Sequence, residues 1–323
     1  MQIPYETTAR PDTGLYNAKL GIWLFLASEV MLFGGLFSAY VFLRMGSDPG
    51  YWPHGLLNVP VGTMNTGVLI ASSVTVVLAW ASLKMRKWNA YYGYMLTTII
   101  CGIVFLTVKL SYEWPQKFEH FGVFLKKESV SKPEYEKYLA NDKDLGGDER
   151  LEITGHLEKM EILRDNKPET VAGENETEGL SPSKAADVLQ EPNVKLVAYE
   201  LHVDEQFVDF KNAAHGDKKV DRPHFWQRPP SEESVKIEAD DIASASAFFP
   251  RHSSYFSTYF LITGLHGLHV LGGVIVFIYF LLFGKKLYLR NPEHMANRVE
   301  VAGLFWHFVD LVWIFVFPIF YLL

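Results

Sequence analysis

Five stretches of the chain are almost unbroken in apolar residues: 20–43, 59–83, 90–114, 255–283 and 301–323. Each is long enough to cross a bilayer, which takes about 20 residues of helix. Lys19, Arg44, Trp52, Lys84, Trp88, Tyr91, Trp114, Lys285 and Tyr288 flank these runs, as interfacial anchors do. Between the third and fourth runs the pattern breaks, and 118–250 is charged with only short apolar stretches. The pattern predicts an all-α membrane protein, a five-transmembrane-helix bundle with a small irregular α+β external insertion. Its parts are an N-terminal segment 1–19, helices 1–3 over 20–117, an insert over 118–250, and helices 4–5 over 251–323.

Composition sharpens this division. The averages, 49% hydrophobic and 21% charged with a net charge of −7 over 323 residues, would suit a soluble enzyme. The charge, however, is unevenly placed. Residues 117–250 hold 18 Lys+Arg and 29 Asp+Glu, whereas the rest holds only 12 and 8. Seven of the eight Trp lie outside that block, so two materials share one chain and a single soluble core is excluded. Cys101 is the lone cysteine, which rules out an intrachain disulfide and a cysteine metal cluster. The opening MQIPYETTARPDTGLYNAK has no apolar core of a cleavable signal. No strongly basic surface invites nucleic acid.

Two short connections, KMRKWN after the second run and GKKLYLRNPEHMANR after the fourth, are basic and fall on the same side. The excess of Lys and Arg predicts that this side is cytoplasmic. The N-terminus is then cytoplasmic, and the C-terminus and the insert are outside. Within the insert, ERLEITGHLEKMEI and NVKLVAYELHVDEQFVDF alternate as strands do. SPSKAADVLQEP predicts a short Ser-capped helix. The acidic stretch 168–182 predicts a mobile loop, and RPHFWQRPPSEES an extended one. His202, His215 and His224 share no spacing that indicates a metal.

Ionisable groups inside a span are costly and are functional candidates by default. They are Glu29, Lys109, Glu113, His266, His269, His307 and Asp310. Helical rise places Glu29, His266, His269, His307 and Asp310 in a broad layer of the inner and middle membrane, where they can form one buried polar network. His266 and His269 are three apart and share a helix face. With His307 they suit a metal, or each bonds a neighbouring helix. Asp310 can orient His307 or bond another helix. Glu29, among Leu, Phe and Met, is in a setting that disfavours its charged form. It reads either as a helix-to-helix hydrogen bond or as a proton-exchange or partner-contact site. Lys109 and Glu113, at i,i+4 near the outer end of the third run, read as an ion pair. Trp52, Pro53 and His54 read as a structured turn.

These residues carry a resemblance. LGIWLFLASEVMLFGGLFSAYVF, HGLLNVPVGTMNTGVLIASSVTVVLAW, Tyr112-Glu113-Trp114, YFLITGLHGLHVLGG and FWHFVDLVWIFVFPIFYL together resemble subunit III of the haem–copper oxidases of the cytochrome c oxidase type. The resemblance runs through all five spans, with 118–250 outside it. Many members have seven spans and hold lipid in a cleft beside their first two; this chain begins at what would be the third. It implies a bacterial inner-membrane protein, an accessory to an oxidase that reduces O2 to water and pumps protons. The chain itself would hold neither haem nor copper, which belong to subunits I and II, and bound phospholipid is expected. It also implies that Glu29 is the family's carbodiimide-reactive carboxyl and sustains proton uptake into subunit I. Expected partners are subunits I and II, a subunit IV and membrane lipids. Through the acidic insert, a basic cytochrome c or a quinol:cytochrome c reductase-type complex is expected, unless the insert is only a solvated loop. Deleting residues 126–247 separates these readings. The alternatives for the whole chain are subunit III of a quinol oxidase and an independent membrane transporter.

Overall fold

The computed structural model describes residues 16–48, 52, 57–118, 120–130, 132–135, 152–173, 179–203, 234–248, 250 and 253–322. These residues divide into two compact units. Pro53, His54 and the extended segment 222–233 lie outside the described residues, as do His215 and His224.

The first unit is the helical bundle. Its helices are α1 (Asn17–Met45), α2 (Val59–Lys84) and α3 (Trp88–Thr107), with two more after the insert. Among the described residues, five helices are long and apolar enough to cross a membrane. The Asn58 side chain caps α2 by accepting from the Val61 N–H at 3.2 Å, with Pro60 in the first turn. The end of α2 closes with Lys87 N–H on Ser82 O at 2.8 Å and Arg86 N–H on Leu83 O at 3.0 Å. Arg86 takes a φ of 60° there, the left-handed residue of a Schellman turn. This turn folds the basic KMRKWN segment tightly enough for α2 and α3 to pack as a hairpin.

The third helix continues past Thr107 through a π-helical turn, Val108–Glu113, and a last turn, Trp114–Phe118. The sheet unit then intervenes and contributes a short helix, α4 (Pro182–Leu189). The bundle resumes with α5 (Ser254–Arg290) and α6 (Pro292–Phe317), which ends in a second π-helical turn, Pro318–Leu322. The sequence pattern predicts a basic loop of some fifteen residues between the fourth and fifth helices. Instead, Asn291 alone separates α5 from α6, and its side chain accepts from His294 N–H at 3.0 Å. The segment from Lys285 to Arg290 stays in α5. Lys, Leu and Arg are good helix formers, and charge alone does not end a helix once it leaves the lipid.

Trp306 locks the bundle. It is fully buried, and its indole N–H donates to Ser72 Oγ on α2 at 2.9 Å. Glycines on both flanks make room for it. A Cβ on Gly102 of α3 would meet its ring at 2.9 Å, and one on Gly273 of α5 at 2.7 Å. Two turns further along α6, Trp313 donates to Thr66 Oγ1 at 2.9 Å. By contrast, α1 buries only Leu26, Phe33 and Tyr40, a seam one residue wide that recurs every seven positions. It meets the last helix through Phe33–Phe308, Phe25–Phe305 and Tyr40–Phe320 ring contacts. At its N-terminal end, Lys19 pairs with Glu300 at 2.6 Å.

The second unit is better ordered than the irregular excursion that the sequence suggests. Its strands are β1 (Phe121–Leu125), β2 (Glu152–Arg164), β3 (Lys167–Ala172), β4 (Val194–Val203), β5 (Ser234–Glu238) and β6 (Ile242–Ala247). They form an antiparallel sheet ordered β5-β4-β2-β1-β6, with β3 also on β2. Part of the predicted mobile loop is therefore strand. Asp165 and Asn166, with φ of 52° and 61°, make the two-residue turn that hairpins favour, and β3 pairs with β2 from Arg164↔Lys167 to Lys159↔Ala172. The helix α4 starts at Ser181, but the serine side chain makes no cap bond and meets Ser183 Oγ instead. One face of the sheet carries the core: Val123, Leu125, Ile153, Leu157, Leu201 and Ile237, with Ala185 of α4 against it.

Asp241, buried just before β6, ties the segment after β1 to the sheet. It accepts from Ser129 at 2.8 Å, Lys132 at 2.6 Å and Tyr135 at 2.9 Å. Burial acts to raise the Asp241 carboxyl, but the hydrogen bonds of Lys132, Ser129 and Tyr135 outweigh it and hold the group below its ordinary 3.8. A carboxyl whose folded value is depressed contributes stability above its unfolded value and loses it as pH falls through the folded one. Stability of this unit is therefore expected to hold from neutrality to about pH 5 and to decline below that. In Asp241→Asn protein the acid-dependent part of that decline should disappear, as read by urea unfolding between about pH 3 and 7.

Candidate functional site

Glu29 lies near the buried face of α1, three positions after Leu26 and four before Phe33, so the seam draws its carboxyl toward the bundle. There Glu29 Oε2 meets His269 Nε2 of α5 at 3.0 Å. The His269 Nδ1 lies 2.7 Å from Leu265 O. A carbonyl can only accept, so Nδ1 carries a hydrogen. The 3.0 Å contact between Nε2 and the carboxyl is then closed by one hydrogen, on the nitrogen or on the oxygen. The two side chains are only 14% and 15% exposed. The rings of Phe33, edge-on at 5.5 Å, and Phe305, stacked at 6.1 Å, enclose the imidazole. The pair can therefore hold and exchange one proton in an apolar setting.

A second cluster sits where the two π-helical turns meet. Lys109 and Glu113 pair at 2.8 Å and are 4% and 1% exposed. Tyr259 of α5 donates to Glu113 Oε1 at 2.9 Å, and Tyr321 also bonds Glu113. Lys109 donates to the Tyr321 hydroxyl and stands 4.5 Å above the Trp313 ring. Lys109, Glu113 and Tyr321 all lie in π-helical turns, which are frequent at functional positions. The ion pair thus joins the third, fourth and fifth membrane helices in one polar knot.

The remaining ionisable residues do not join into the single network that sequence spacing allows. His307 Nδ1 pairs with Ser73 of α2 at 2.6 Å. Asp310 is buried, and the Ser73 hydroxyl that meets His307 also lies beside its carboxyl. His266 is fully buried between the rings of Phe105 and Trp313, at 5.5 and 5.0 Å, with neither nitrogen bonded among the described residues. The physical reason is rotation. Three helical positions leave about 60° between two side chains, so His269 reaches α1 while His266 faces α3 and α6. The three histidines engage different neighbours and do not converge as a metal site would.

Tyr259, Tyr321 and Ser73 complete these sites, and sequence reasoning does not single them out. Tyr259 sits seven residues before His266, hence on its face, but Tyr321 is one aromatic among many at the chain end. Beside the Glu29 pair, α1, α5 and α6 leave a cavity of about 660 Å³ lined by Ile22, Gly273, Phe277, Phe280 and Phe305, with Arg298 among its lining residues.

Apolar helices of membrane-spanning length, with paired ionisable groups between them, mark a polytopic integral-membrane protein. Its family is also shown: the model for cytochrome c oxidase subunit III matches residues 8–120 and 237–323, and the chain belongs to that family. The match is split by an insert, residues 121–236, that holds most of the sheet. A probable cytochrome c oxidase subunit 3 of Nocardia farcinica is 45% identical over 69 residues, 21% of this chain and 33% of that protein. Cytochrome bo(3) ubiquinol oxidase subunit 3 of Pseudomonas aeruginosa is 38% identical over 80 residues, 24% of this chain and 37% of that one. A heme-copper oxidase subunit I+III of Aeropyrum pernix is 37% identical over 104 residues, 30% of this chain and 13% of the fused protein. The matched segments thus span little more than a third, at most, of these relatives.

Proposed function

We propose that this chain is the accessory subunit III of a proton-pumping terminal oxidase in a bacterial inner membrane. It packs on subunit I, with subunit II and a small subunit IV as further partners, and it sustains proton uptake into subunit I. The observation that carries this reading is the contact of the Glu29 carboxyl with His269 Nε2 at 3.0 Å within an apolar span. The chain does no redox chemistry itself in this reading; haem and copper reside in its partners. The fused subunit I+III relative supports the close association with subunit I. The apolar cavity beside α1 suits an acyl chain, and Arg298 suits the phosphate of the lipid that carries it.

The electron donor is proposed to be cytochrome c, approached from the side that carries the acidic insert. Much of the acidic excess of the insert falls outside the described residues, while described charges such as Lys236–Glu161 and Lys159–Glu200 are paired. The ubiquinol oxidase relative supports a quinol donor as the second reading.

The test is Glu29→Ala and Glu29→Gln in the intact oxidase. The expected result is severalfold slower proton uptake, or a turnover-dependent inactivation severalfold faster than in the parent, with initial assembly retained. Carbodiimide should label Glu29 in the parent. Unchanged activity over many turnovers in both variants, or no labelling at Glu29, would overturn the proton-uptake role.

A further inference from the structure

We propose that His120, His156 and His202, aligned in one row across the sheet, form a binding site for a divalent transition-metal ion of the Zn2+ type. Strand register places them together. His156 of β2 is the direct partner of His202 of β4. On the other side, Phe121 pairs with Gly155, which sets His120, one residue earlier, opposite His156. β2, β4 and the residue just before β1 thus place one imidazole each on the same row, and neighbours in such a row have Cβ atoms about 5 Å apart. The His120 and His156 rings are already 4.7 Å apart, centre to centre.

Two features beyond the row point to a ligand. First, Gly155 lets β2 and β4 close tightly beside the His156–His202 pair: a Cβ there would lie 2.2 Å from His202 O. Second, the Nδ1 atoms are oriented from behind. His120 Nδ1 lies 2.5 Å from Gln116 O, and His202 Nδ1 faces Glu158 Oε1 at 3.7 Å. Metal-bound histidines are oriented in this way, by a carbonyl or carboxylate on the other ring nitrogen; the Gln116 carbonyl leaves Nε2 of His120 as its donor, whereas Glu158 stands beyond hydrogen-bond reach of His202 and only faces it. The His202 Nε2 is buried and unbonded among the described residues. As the side chains stand, no three donors among the described residues are at coordination spacing. Binding therefore requires rotation of the partly exposed rings, which the strand backbone does not oppose. Imidazole donors select zinc, copper or nickel over calcium and magnesium, and Glu158 is available as an oxygen ligand or as the orienting group.

The site lies in the insert and does not depend on the oxidase reading. The test is histidine footprinting with diethyl pyrocarbonate on the intact purified complex, with mass spectrometry, after chelation and again with micromolar Zn2+. The expected result is that Zn2+ protects His120, His156 and His202 together while Mg2+ does not. His156→Ala should abolish protection of the other two, and Glu158→Gln should raise the Zn2+ concentration needed by about tenfold. Unchanged modification of the three in the parent, protection of one without the others, or protection persisting in His156→Ala would each overturn the site. The footprint of the parent decides the matter even if His156→Ala fails to assemble.

Discussion

Glu113→Ala is expected to cost the bundle about 3–5 kcal/mol, the usual penalty for removing one partner of a buried ion pair. Glu113 accepts from two tyrosines and faces Lys109 with almost no solvent. Its loss leaves an ammonium in the membrane beside only the Tyr321 hydroxyl and neighbouring aromatic faces, that of Trp313 foremost. The double variant Lys109→Met/Glu113→Leu should be far less damaging than either single one, because it leaves no uncompensated charge. Unfolding in mixed detergent, read as loss of helical signal, gives both values. A double variant as unstable as Glu113→Ala would show that the knot contributes through packing, not through charge.

Trp306→Ala should be of similar size, about 3–5 kcal/mol. The ring fills the space that Gly102 and Gly273 open, so its removal leaves a cavity bounded by several helices that cannot easily close. It also strips Ser72 Oγ of its indole donor. The complementary change, Gly102→Leu, should damage the bundle from the other side, since even a Cβ there meets Val274 at 2.7 Å. The same detergent titration reads both. If Trp306→Phe restored full stability, the indole hydrogen bond to Ser72 would be immaterial and ring volume alone would hold the helices.

The five spans were legible because length and apolarity determine a membrane helix almost alone. The ion pair was legible because its partners are four residues apart. The Glu29–His269 bond was not, since its partners are 240 positions apart and nothing in either helix names the other. Tyr321 was hidden in the same way, 208 positions from the Glu113 that it bonds. In the insert, β2 and β4 showed themselves by length and β-branched content. β3, KPETVA, did not, because an edge strand carries the proline and charges that also mark a loop. The histidine row was the least legible feature. Each residue is ordinary along the chain, and only the register of three strands aligns them.

The sheet unit lies between the third and fourth membrane helices in the chain, so the last two helices are made late. A ribosome adding 5–20 residues per second takes on the order of 10 s to pass the insert. Throughout that interval the first three helices are already in the translocon or the lipid without His269, Trp306, Tyr259 or Tyr321. Glu29 and Ser72 must wait, whereas Lys109 and Glu113 neutralise each other within their own helix. The i,i+4 spacing thus makes α3 a tolerable guest of the membrane before its final neighbours exist. Insertion of the third helix, α3 with its π-helical extension, should then be more sensitive to loss of Lys109 than α1 is to loss of any partner it later gains.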